Sequence, residues 1–165
     1  MLNIIDVEAS GLQSGSYPVE VGIAFANGER LSMLIQPEPE WVHWDLQAQR
    51  LHGISRRTLS QYGKPAAEVA HKLNTLLDGQ QAYSDAWVVD KPWLNSLFDA
   101  AKLPMQFRLS PIEQVMREDQ FHYWDDIKQQ VIQELGVERH RASHDAWLIQ
   151  QTYERSLKKA DSHQS

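Results

Sequence analysis

The first strand constrains this chain most. Residues 2–7 are almost continuously apolar and carry the β-branched Ile4, Ile5 and Val7, a pattern that predicts a short buried strand. A second strand pattern covers residues 17–25, and Asn27-Gly28 is a strong hairpin signal ahead of a third strand at 30–35. The chain is therefore expected to open on three antiparallel strands. Pro37 and Pro39 end that run, and the stretch through Trp41, Trp44 and Leu51 reads as a loop followed by a short helix.

The remainder alternates helix and strand signals. Lys64-Pro65 opens a helix in which Ala66, Val69, Ala70, Leu73, Leu76 and Leu77 recur at helical spacing, until Asp78-Gly79 stops it. A short strand is expected at Gln81–Ser84. Pro92 suits the first turn of the next helix, with Trp93, Leu94, Leu97, Phe98 and Ala101 on one face and an end before Pro104. Residues 107–112 read as an edge strand despite Pro111, and helices follow at roughly 124–135, stopped by Gly136, and at 142–158. With no repeat or low-complexity block, these elements predict one α/β domain over residues 1–160 and a frayed polar tail at 161–165.

Composition narrows the chemistry. A chain of 165 residues, 42% hydrophobic and 23% charged, suits one domain with one core. No apolar run approaches a membrane span, and the first residues lack a signal-peptide pattern, so a cytoplasmic protein without membrane contact is expected. The absence of cysteine excludes disulfides and thiolate metal sites, leaving oxygen and imidazole ligands and therefore hard divalent cations. A net charge of −6 argues against a general basic surface for nucleic acid, but not against a nucleic-acid enzyme that neutralises phosphate with bound cations. Arg56, Arg57, Lys64, Arg139 and Arg141 are candidates for a small basic rim, although each taken singly reads as a solvated surface charge.

Three separated groups carry chemistry. In a strand, residues two apart share a face, so Asp6 and Glu8 aim two carboxylates at one point, and the Ala9-Ser10-Gly11-Leu12 turn leaves them at a loop mouth. Such acids repel unless a cation lies between them. Asp90 precedes Lys91-Pro92, where a helix N-cap is the bland alternative. His140 lies just before the last helix and Asp145 in its first turns, so a base and a ligand can reach one site. The alternative makes His140 and His144 surface residues and Asp145 a partner of the helix dipole.

These segments resemble the DEDDh 3′-to-5′ exonucleases, a family that includes proofreading exonucleases, RNase T and oligoribonuclease. Residues 5–12 (IDVEASGL) match its first motif, 90–94 (DKPWL) its second and 140–146 (HRASHDA) its third. The Leu51-His52-Gly53-Ile54-Ser55 stretch is similar to the family's His-Gly-Ile segment beside the substrate cleft, and together these matches run over nearly the whole chain. The resemblance implies an RNase H-like fold with a mixed five-stranded sheet flanked by helices. It also implies that Asp6, Glu8, Asp90 and Asp145 hold two divalent cations, magnesium with manganese as substitute, and that His140 is the general base.

By the same resemblance Leu12 wedges against terminal bases, and Ala9, Ser10 and His52 lie along the substrate. Ala9-Ser10 stands where the family usually has threonines, and Tyr83-Ser84-Asp85-Ala86-Trp87-Val88-Val89-Asp90 departs from its usual second motif, leaving Asp85 as an alternative to Asp90. Among the tryptophans, Trp44 and Trp87 are the better candidates for base contact, whereas Trp93 and Trp147 read as core. The expected activity is hydrolysis of single-stranded DNA or RNA 3′ ends, or of short oligonucleotides, to nucleoside 5′-monophosphates, and the resemblance also implies a homodimer, as small family members often are. The alternatives are a nuclease-fold binding module without turnover, such as a polymerase partner, and a protein whose Asp and His residues are only caps and surface groups.

Overall fold

The computed structural model describes residues 1–136 and 140–163; Arg139, one of the expected rim residues, and tail residues 164–165 lie outside them. The strand anticipated at the N-terminus, β1 (Asn3–Ala9), runs through the middle of a five-stranded sheet. It pairs antiparallel with β2 (Pro18–Ala24), which pairs antiparallel with β3 (Arg30–Leu34). The β2–β3 turn uses Gly28 at φ +91°, a conformation that suits glycine. On the other side of β1 lie β4 (Gln81–Ser84) and β5 (Arg108–Pro111), both parallel, giving the order β3-β2-β1-β4-β5.

Period-two alternation sorts the sheet's two faces. Ile5, Val7, Val21 and Ile23 pack against α3 (Ala66–Leu77) and α4 (Trp87–Ala101), in a core that includes Val69, Leu73, Leu77, Leu94, Leu97 and Phe98. On the opposite face Ile4 and Ala24 meet Ala146, Ile149 and Tyr153 of α6 (Ala142–Ser162). Beyond it, α5 (Glu118–Leu135) packs on α6 through Ile127, Val131 and Leu148. A smaller cluster of Tyr17, Val19, Ile54 and Leu59 anchors α1 (Leu46–His52) and α2 (Arg56–Tyr62).

Several elements depart from the sequence reading. α2 was not expected: its seven residues bury only Leu59, too little for a period, and its start is set by Ser55, whose hydroxyl accepts the Thr58 N–H at 3.1 Å. α4 begins at Trp87 rather than near Pro92, so Pro92 lies inside the helix, where it has no N–H to offer the Val88 carbonyl. Asp90 is consequently a residue of the first turn of α4 and not its N-cap. α5 starts at Glu118 because Gln120, fully buried, accepts the Arg117 N–H at 2.9 Å and donates to Ser156 Oγ at 3.1 Å. α6 continues to Ser162, into the stretch expected to be tail. Among the described residues no helix is long and apolar enough to cross a membrane.

Candidate active site

The acids sit where the sheet face turns from apolar to polar. Along the α6 face, the β1–β2 register pairs Ile4 with Ala24, Asp6 with Gly22 and Glu8 with Glu20. The first pair packs under α6; the next two face the start of that helix. Gly22 makes this approach possible, since a Cβ on it would fall 2.1 Å from Ala142 C and Ser143 N. The close contact brings Asp145, in the first turn of α6, over Asp6 and Glu8. One ligand atom each from Glu8, His140 and Asp145 lie within 4.8 Å of one another.

Asp90 reaches the group from the other side. It is 1% exposed, accepts the Ser84 hydroxyl at 2.5 Å and accepts the Val7 N–H, which lies beyond the end of the β1–β4 pairing. The Ser84 oxygen also accepts the Ala86 N–H at 3.0 Å, tying the end of β4 to the start of α4. Asp85, the rival for this role, instead pairs with Lys128 of α5 at 3.1 Å, though its charge still acts on Asp6 and Asp90.

Electrostatics mark the cluster as strained for a metal-free protein. Among the described residues Asp6 Oδ2 is sealed from solvent and has no hydrogen-bond partner. Burial, reinforced by Asp90, Glu8, Asp145 and Asp85, pushes its carboxyl well above the usual range. Burial, with Asp145, Glu20 and Asp90, lifts Glu8 to about 8, against a smaller opposing effect of Arg141. Asp90 rises to about 7, chiefly by burial, although the Ser84 and Val7 hydrogen bonds work the other way. An orphaned buried oxygen among mutually repelling carboxylates is a donor set that fits hard divalent cations.

His140 is held in an unusual conformation. Its φ is +62°, left-handed for a residue with a Cβ, and its N–H donates to Asp145 Oδ2 at 3.0 Å. That hydrogen bond joins the backbone of the candidate base to a candidate ligand. Beside them a cavity of about 280 Å³ is bounded by Glu8, Leu12, Gln13, Leu51, Trp93 and His140. Leu12 stands at its edge, 80% exposed.

The other candidates separate. Ala9 and His52 line the cavity, and His52 is also a brace: its Nδ1 accepts the Ile54 N–H at 3.0 Å, so its Nε2–H donates to the Ala9 carbonyl at 3.2 Å. Ser10 directs its buried hydroxyl inward, accepting the Tyr17 N–H at 3.0 Å and sharing a hydrogen bond with His43 Nδ1 at 2.9 Å. Trp87 does not border the cavity; its indole N–H donates to the Leu109 carbonyl at 2.9 Å and its ring packs on the main core. Trp93 packs on the main core, as the sequence suggests, and also borders the cavity. Trp44 packs near His52, with the Arg56 guanidinium over its ring at 5.5 Å.

Arg141 is not a rim charge. It clasps buried Glu20, a residue that the sequence reading passed over because a glutamate in a strand looks like an ordinary solvent-facing position.

No protein-family model matches the chain, and no curated protein sequence does. Solved structures do resemble it. Exonuclease I of E. coli in complex with a dA16 oligonucleotide superposes with a TM-score of 0.71 over 98% of this chain at 13% identity, and its zinc-bound complex with single-stranded DNA with 0.71 over 97% at 13%. Exonuclease I from Methylocaldum szegediense gives 0.68 over 96% at 12%. The chain shares the fold of the part of exonuclease I that it matches. It spans about two fifths of those proteins' length, 42%, 40% and 41% respectively. The expected RNase H-like architecture, a mixed five-stranded sheet flanked by helices, is therefore the observed one.

Proposed function

We propose that this chain is a metal-dependent 3′-to-5′ exonuclease that shortens single-stranded DNA or RNA ends, or short oligonucleotides, and releases nucleoside 5′-monophosphates. The observation that carries this reading is the solvent-sealed Asp6 Oδ2, without a hydrogen-bond partner among the described residues, inside a group of Glu8, Asp90 and Asp145 with His140 alongside. Shared fold with exonuclease I, which is known in complex with single-stranded oligonucleotides, supports the choice of substrate class.

Asp6, Glu8, Asp90 and Asp145 would hold two divalent cations, magnesium with manganese as substitute. Bound there, the cations would offset charge on the attacking and leaving oxygens of an in-line phosphoryl displacement. The chain's own residues do the rest. His140 accepts the proton of the attacking water on its ring nitrogen, and its backbone bond to Asp145 holds the stretch of chain from which that ring projects. The 280 Å³ cavity receives the terminal nucleotide, with exposed Leu12 and Trp93 as apolar surfaces for a base. His52 contributes by holding the Ala9 carbonyl.

The test is an oligonucleotide labelled at its 5′ end, incubated with manganese or magnesium and resolved on a gel. A ladder shortening from the 3′ end, lost with chelator, is expected; oligonucleotide binding without any shortening would point instead to a binding module, and internal cuts would refute the polarity.

A further inference from the structure

The start of α6 carries both His140 and Asp145, and its N-cap residue, Arg141, makes no side-chain cap hydrogen bond among the described residues. What fixes it comes from a distant strand. Glu20, on β2 directly across from Glu8, is 1% exposed and spends both carboxylate oxygens on residues 141 and 142. Oε1 accepts the Arg141 Nε–H at 3.1 Å and the Ala142 N–H at 2.8 Å; Oε2 accepts from Arg141 Nη2 at 2.7 Å and Nε at 3.2 Å. A carboxylate at a helix N-terminus is favoured by the helix dipole, and a bidentate arginine adds direction to it.

This arrangement has a geometric consequence. Glu20 shares a sheet face with Asp6 and Glu8 and would count as a further acid of the cluster, but its lone pairs are committed to Arg141 and Ala142. It holds protein in place and is not offered to a cation. The segment it grips is bounded on one side by left-handed His140, whose N–H is tied to Asp145, and below by Gly22, which admits the Ala142–Ser143 backbone.

We propose that Glu20 and Arg141 form a positioning clamp that sets His140 and Asp145 at their working distance from Glu8, without touching the substrate. The catalytic part of this inference rests on the nuclease reading above. Misplacement of a reacting group by about 1 Å costs roughly 100-fold in rate, so release of the clamp acts on turnover more than on substrate affinity.

Glu20→Gln keeps an oxygen for the Ala142 N–H but loses the ion pair; Arg141→Met loses the same pair from its more exposed side. Each is expected to lower kcat for a single-stranded oligonucleotide by about 10- to 100-fold with KM within about twofold. The double variant should be no slower than the worse single, because both act through one contact. Arg141→Lys, which retains one donor, should recover part of the loss. Two readouts need no turnover: manganese affinity of the free protein should fall in both variants, and hydrogen exchange at the Ala142 amide should accelerate.

Multiplying losses in the double variant, wild-type kcat in either folded single variant, or a raised KM at unchanged kcat would each overturn the clamp. If the wild-type chain shortens no oligonucleotide, the nuclease reading fails, while Ala142 exchange unchanged in Glu20→Gln and Arg141→Met would still refute the clamp and faster exchange would still uphold it.

Discussion

Replacing Gly22 by alanine adds one methyl group where the described glycines leave least room. The new Cβ would lie 2.1 Å from Ala142 C and Ser143 N and 2.5 Å from the Ala142 carbonyl oxygen, where ordinary contact begins at 3.4 Å. All three neighbours are backbone, so no side chain can swing away. Either β2 or the start of α6 must retreat by about 1.3 Å, the gap between those distances. Such overpacking costs about 1–3 kcal/mol, which for a domain of this size lowers Tm by roughly 2–12 °C. Because the displaced turn carries Asp145 and follows His140, a shift of that size should also reduce kcat by about 100-fold. Thermal melting and oligonucleotide turnover at saturating manganese measure both effects on one preparation. Wild-type activity in a Gly22→Ala protein would show that α6 does not need its contact with β2 to place these groups, and the geometric reasoning would fail.

Other expectations follow from the acids. Glu8 is raised from 4.5 to about 8 and Asp90 from 3.8 to about 7, so the folded protein holds protons that the unfolded chain releases. Metal-free stability should therefore fall as pH rises from about 4 to 8, by on the order of a few kcal/mol, and magnesium should raise Tm more at pH 8 than at pH 6; equal metal effects at both would contradict this. Asp6→Asn should raise the Tm of the metal-free protein, by relieving repulsion, while abolishing manganese binding by calorimetry. Asp90→Asn should eliminate turnover, whereas Asp85→Asn, which breaks an ion pair with Lys128, should cost less than about tenfold. The reverse order would reassign the second-motif aspartate.

What was legible in the sequence is what short-range patterns encode. β1, the Asn27-Gly28 hairpin and α3 declare themselves through alternation, turn chemistry and helical spacing, and the two-residue step from Asp6 to Glu8 places both on one face without further information. Less legible was everything set by distance along the chain. Glu20 and Arg141 are 121 residues apart, and neither has a neighbour that hints at the other. Gly22 looks like a weak point in a strand until the backbone of α6 lies on it. Trp87 looks like a cleft residue in the sequence because Pro92 suits a helix start; α4 begins at Trp87 instead, and that side chain is spent on the Leu109 carbonyl and the main core.

The central claim is that the four acids and His140 work as one hydrolytic site acting from a 3′ end. A single gel tests it: a 5′-labelled single-stranded oligonucleotide with manganese, cut by the wild-type chain, Asp6→Ala and His140→Ala. A 3′-shortening ladder is expected from the wild type, none from either variant, and manganese binding weakened mainly in Asp6→Ala. An unchanged ladder from Asp6→Ala would contradict it.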